Sequence, residues 1–143
     1  MNKYKELNDR IQKEVNELLL GFAFSNEQFE QMMNKWGLTV NDTDKIYRIG
    51  GGGFIQKSDY SRMTETFDRH KQWLKDAVAA DPDGTGFIFD MFSYELRNHE
   101  YAYTGDAEDT LDALGFTYED LENDARLAHG FRLACEKIVG EDI

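Results

Sequence analysis

Cysteine and proline are almost missing from this chain, with one of each, Cys135 and Pro82, in 143 residues. A lone cysteine closes no internal disulfide, and no cysteine pair has the spacing of a zinc site, so a disulfide scaffold and a zinc-clamped fold are both excluded and a reducing cytoplasm is the expected setting. Long apolar runs are lacking too. The longest, Leu18-Leu19-Leu20-Gly21-Phe22-Ala23-Phe24, falls far short of the roughly 20 residues of a membrane span. The first ten residues alternate charge with apolar side chains and hold no secretory core, so neither export nor a membrane partner is expected. Bases are scarce where acids are plentiful: residues 1–70 hold eleven acids and ten bases, residues 71–143 seventeen acids and six bases. With no basic stripe to neutralise phosphates, direct nucleic-acid binding is excluded.

What is present is acid. Between Asp76 and Asp124 fourteen carboxylates face one base, Arg97, a net of −13 in a chain whose total is −12. A run of like charge this long commonly marks a disordered tail. Here eight aromatics, among them Phe87, Phe89, Phe92, Tyr94 and Phe116, share the stretch, so the acid is carried by a folded core.

The periodicity predicts a mainly α protein: a single compact multi-helix domain over 1–143 with a small β-hairpin around residues 45–57. Tyr4, Leu7, Ile11, Val15, Leu18 and Leu19 fall on one helical face ending near Gly21. A capping box at Ser25 and Gln28 opens a second helix that stops at Gly37, giving an N-terminal helical pair over 1–37. Lys45–Ile49 and Phe54–Lys57 read as strands around Gly50-Gly51-Gly52-Gly53. A helical core over 59–140 follows. Its third helix ends at Asp81-Pro82-Asp83-Gly84, its central helix from Phe87 is apolar nearly all round, and short helices near Asp106 and Thr117 precede a last one from about Asp124.

Four patterns bear on chemistry. Asp81-Pro82-Asp83-Gly84-Thr85-Gly86-Phe87-Ile88 matches the opening of a calcium-binding helix-loop-helix, with Asp81, Asp83 and Thr85 as candidate ligands. Position twelve, where a bidentate glutamate belongs, is Phe92, and the same residues also make a tight interhelical turn. Gly50–Gly53, flanked by Arg48 and Lys57, lacks the lysine-serine ending of a phosphate loop and reads first as a turn, with weak anion binding as the alternative. Glu95 and His99 lie four apart on an otherwise apolar helical stripe. They form either a polar pair that fixes helix packing or an acid-base pair of a small enzyme. No nucleophile or oxyanion loop is close by, so no residue is assigned as catalytic and no cofactor is expected.

The fourth pattern is the acidic block. Asp81 and Asp83 sit in a turn, and Asp106, Glu108, Asp109, Glu119 and Asp120 fall in helical first turns, where carboxylates favour the dipole. Asp76, Asp90, Glu95, Glu100, Asp112, Glu122 and Asp124 have no such local role, except that Asp124 can cap the last helix. Glu108 with Asp112 and Asp120 with Asp124 place like charges four apart, which costs a continuous helix a few tenths of a kcal/mol. Asp106, Glu108, Asp109, Asp112, Glu119, Asp120 and Glu122 are therefore expected to form a partner-binding surface for a basic protein, such as one that itself binds nucleic acid.

The run Met91-Phe92-Ser93-Tyr94-Glu95-Leu96-Arg97-Asn98-His99-Glu100-Tyr101, continued by Thr104-Gly105-Asp106 and Asp109-Thr110-Leu111-Asp112-Ala113-Leu114-Gly115, resembles a small uncharacterised family of phage and conjugative-element proteins from gut bacteria. Gly50–Phe54 fits the same likeness. The resemblance brings no catalytic residues with it. It implies a mobile-element accessory protein, a setting in which small acidic proteins often inhibit host-defence nucleases of the CRISPR or restriction type by imitating phosphates.

Overall fold

The computed structural model describes residues 1–141. The chain is mainly α, with eight helices and one three-stranded antiparallel sheet among the described residues. In chain order these are α1 (Lys3–Glu17), β1 (Leu20–Phe22), α2 (Asn26–Lys35), β2 (Ile46–Gly50), β3 (Gly53–Gln56), α3 (Tyr60–Ala79), α4 (Phe87–Asn98), α5 (Tyr101–Thr104), α6 (Glu108–Leu114), α7 (Tyr118–Asn123) and α8 (Ala125–Glu141). They divide into two compact units, one of residues 1–11 with the chain from Gln72 onward, the other of residues 12–71.

The first unit is built on α4 and α8. Phe87, Ile88, Met91, Phe92 and Leu96 of α4 are buried with Leu127, Ala134 and Ile138 of α8, and Ala107, Leu111 and Leu121 close the cluster. A helix buried on several sides needs the all-round apolar profile read from its sequence. Phe92 is fully buried and meets the rings of Phe131 and Phe116 at 5.3 and 6.1 Å. Burial of that side chain alone contributes about 1.5–3 kcal/mol. The closest backbone approach is between the turn before α4 and α8: a methyl group on Gly130 would lie 2.5 Å from the Gly84 carbonyl oxygen and 2.6 Å from Ile88 Cγ2.

In the second unit β3 lies between β1 and β2. Side chains alternate across the sheet: Ile55 joins Leu18 and Met63 on one face, while Phe54 and Ile46 join Met32 and Met33 on the other. The glycine run is the β2–β3 turn. Gly50, Gly51 and Gly52 have φ of 88, 58 and 78°, a left-handed succession that only glycine adopts without strain.

The hairpin has a third strand that the sequence reading assigned to the end of α1. That helix stops at Glu17, and Leu20, Gly21 and Phe22 pair with Ile55, Phe54 and Gly53. Gly21 also sets how α2 packs on this strand. A Cβ there would lie 2.5 Å from Met32 Sδ, so its missing side chain lets α2 approach the strand. The capping box opens α2 as expected, with Gln28 N–H donating to Ser25 Oγ at 3.1 Å, although the Gln28 side chain accepts from Phe24 N–H, one residue earlier than in the standard box.

Candidate functional site

The acidic surface belongs to α6, α7 and the turns that begin them. Each helix buries a narrow stripe, Thr110 and Leu111 in α6 and Leu121 in α7. Leu114 is half-buried against the same core, and with so few residues turned inward most other positions face water. Asp106, Glu108, Asp109, Asp112, Glu119, Asp120 and Glu122 are all exposed. Asp106 Oδ1 accepts the Glu108 N–H at 2.9 Å and starts α6. Thr117 and Asp120 complete a reciprocal capping box at α7, with bonds of 2.8 and 3.1 Å. Glu108, Asp109, Asp112, Glu119 and Glu122 make no side-chain hydrogen bond, and none of the seven forms an ion pair among the described residues. Tyr118 links the two helix starts: burial and then the charges of Asp106 and Glu108 raise its phenol above the ordinary range.

Other members of the acidic run have local structural roles. Asp90 Oδ2 accepts the Lys3 N–H at 2.9 Å and thereby starts α1. Asp76 accepts from Gln72 at 2.8 Å. Asp124 ends α7 in extended backbone and accepts the Arg126 N–H at 3.0 Å and the Leu127 N–H at 3.4 Å. The helix therefore breaks between Asp120 and Asp124, removing the like-charge penalty that a continuous helix would carry. Glu108 and Asp112 stay within α6 and keep it. Among the described residues Glu100 makes neither a side-chain cap nor an ion pair, and it sits at φ 56° between α4 and α5.

The segment from Asp81 is a turn organised by a buried carboxylate. Asp81 is 5% exposed, and its two oxygens accept four backbone N–H groups: Asp83 and Gly84 on Oδ1 at 3.3 and 3.0 Å, Gly86 and Ile88 on Oδ2 at 3.1 and 3.0 Å. Both oxygens thus face donors and tie down the start of α4. Asp83 Oδ1 accepts both the backbone and the hydroxyl of Thr85, at 3.0 and 2.6 Å. Helix α4 begins at Phe87, so the later positions of the calcium-loop pattern are helical and its twelfth, Phe92, is core. Arg126 closes the other side of the turn, donating from Nη1 to the carbonyls of Val78, Ala79 and Asp81 at 3.1, 3.3 and 2.6 Å and so capping the end of α3. No sequence signal singled out Arg126.

Glu95 and His99 do meet, with Nε2 3.3 Å from Oε2. The other Glu95 oxygen accepts the Tyr4 hydroxyl at 3.0 Å, and Thr110 Oγ1 donates to the Glu95 carbonyl at 3.3 Å. The hydroxyl partner is Tyr4 on α1, 91 residues earlier in the chain. This arrangement joins α1, α4 and α6. The flanks of the glycine turn separate: Arg48 lies over Phe54, while Lys57 lies over Tyr47, which neighbours Arg48 in β2 and so points to the opposite face. Among the described residues, no group of three or more His, Cys, Asp or Glu is arranged to hold a metal ion, and no helix is long and apolar enough to cross a membrane.

These elements define a mainly α protein with seven exposed acids on α6, α7 and their turns that form no ion pair among the described residues. The chain belongs to DUF7659, a family of unknown function, whose model matches residues 3–137. No curated protein and no solved structure matches it.

Proposed function

We propose that this chain is an acidic accessory protein of a mobile element that works in the cytoplasm by binding a basic surface of another protein. The favoured partner is a nucleic-acid-binding nuclease of host defence, blocked by carboxylates standing where phosphates would lie. One observation supports this reading above the rest: seven exposed acids between Asp106 and Glu122 carry no ion pair among the described residues. Five of them also lack a side-chain hydrogen bond, so capping does not account for them. Helix stability does not favour Glu108 beside Asp112. A surface of one sign speeds encounter with an oppositely charged groove and makes binding fall with salt.

The test is a charge reversal at four sites, Asp109→Lys, Asp112→Lys, Glu119→Lys and Glu122→Lys, which leaves both helix-starting carboxylates in place. Affinity capture from a bacterial lysate carrying nuclease-type defence systems should recover basic nucleic-acid-binding proteins with the natural chain and lose them with the variant. Recovery of the same proteins by both would contradict the proposal.

A further inference from the structure

The second unit holds a cavity of about 540 Å³ between α2 and the sheet, within the range of about 300–1,000 Å³ typical of small-molecule sites. Phe24, Phe29 and Phe54 supply aromatic wall, and Arg48, Asn26 and Thr43 supply polar groups. Phe29 and Phe54 meet edge to face, 5.4 Å between centroids, and both line the opening. Arg48 stands directly across the ladder from Phe54, with its guanidinium 5.8 Å from that ring. This is near the outer limit of a useful cation–π contact, about 6 Å. No carboxylate pairs with Arg48 among the described residues, in a chain with 28 acids. Asp42, close in sequence, is already engaged by Thr39 and Lys45. Asn26 and Thr43 make no side-chain hydrogen bond among the described residues.

We propose that this cavity binds a small anion built on a flat aromatic ring. The ring would lie against the phenylalanines and the anionic group would pair with Arg48, whose planar fork matches carboxylate and phosphate oxygens alike. Asn26 and Thr43 would take hydrogen bonds from the ring's polar edge. This assignment does not rest on the acidic surface, which belongs to the other unit.

Calorimetric titration of the full chain with indole-3-acetate and with adenosine 5′-monophosphate tests it and separates a carboxylate from a phosphate ligand. The neutral counterparts are tryptophol and adenosine. At least one acid should bind with a Kd at or below about 1 mM, the scale open to a ligand of this size. Its neutral counterpart should bind at least about tenfold more weakly, and Arg48→Met should cost the natural chain about the same factor. Arg48 is exposed, so that variant should keep its fold, which far-UV circular dichroism checks. Ring-proton contacts from the ligand to Phe29 and Phe54 by nuclear magnetic resonance should accompany binding. The four-site charge reversal should leave the affinity unchanged, distinguishing this site from the acidic surface. Absence of binding by both acids at several millimolar, equal binding of the neutral compounds, or full affinity in Arg48→Met would each overturn the proposal.

Discussion

Asp81→Asn is the sharpest perturbation of the fold. The amide keeps one oxygen for the Asp83 and Gly84 N–H groups but turns an NH₂ toward those of Gly86 and Ile88, which now bond Oδ2 at 3.1 and 3.0 Å. Two bonds to an ionised acceptor are lost, and the Ile88 donor is left buried. At about 1.5–3 kcal/mol for each charged bond, with local relaxation returning part, the loss is about 3–5 kcal/mol. That corresponds to a melting temperature lower by about 10–17 °C in a protein of this size. Urea denaturation followed by far-UV circular dichroism measures it, and faster amide exchange at Gly86 and Ile88 localises it. Asp83→Asn, whose carboxylate serves only exposed Thr85, should cost less than about 1 kcal/mol. Millimolar calcium should leave the melting temperature of the natural chain unchanged, because both Asp81 oxygens already face backbone donors. An Asp81→Asn protein within about 0.5 kcal/mol of the natural one would refute the reasoning, since surface changes alone reach that size.

Three further outcomes follow from the same contacts. Gly130→Ala should destabilise by about 1–3 kcal/mol, because the new methyl meets the Gly84 carbonyl and outweighs the better helix propensity of alanine; a raised melting temperature would contradict the packing. Tyr4→Phe should cost about 1 kcal/mol at neutral pH by removing the bond to Glu95. Burial, then the Glu95 charge and hydrogen bond, raise the Tyr4 phenol far above its ordinary value of 10.0, so its contribution is complete below about pH 10 and is lost as pH rises further, where the unfolded chain ionises first. Stability above pH 10 should thus fall less steeply in Tyr4→Phe, and equal slopes would contradict the assignment. For Asp124, burial pushes the carboxyl up, but the Arg126 side chain and the Leu127 and Arg126 N–H groups outweigh it and hold the carboxyl below its usual value of 3.8. Its contribution is present above about pH 4 and lost as pH falls through the depressed value; Asp124→Asn should flatten that acid limb, and an unchanged acid midpoint would count against the cap.

The helices were legible because their signals are local. The apolar circumference of α4, the capping box before α2 and the glycine after α6 each act within a turn or two of chain. Strand β1 was not legible, because Leu18-Leu19-Leu20 continues the apolar face of α1 and only pairing with the distant Phe54 and Ile55 favours the extended form. Arg126 escaped notice for a similar reason: the carbonyls it caps are more than forty residues away in sequence. The acidic block was visible as charge but not as roles. Asp90 appeared as free charge and proved to start α1, Asp124 caps α8 as its place in the sequence allowed, and Asp112 and Glu122 remain without a structural task. Arg48 was noted beside the glycine run, yet its place across from Phe54 depends on strand register that a glycine-rich turn does not reveal.

The central claim concerns the acids left over after capping. Paired affinity captures, natural chain against the four-site charge reversal, at low and at high salt, test it most directly. The account predicts basic nucleic-acid-binding proteins with the natural chain at low salt, their release at high salt, and their loss with the variant at either. Recovery of the same partners by both proteins, indifferent to salt, would contradict it.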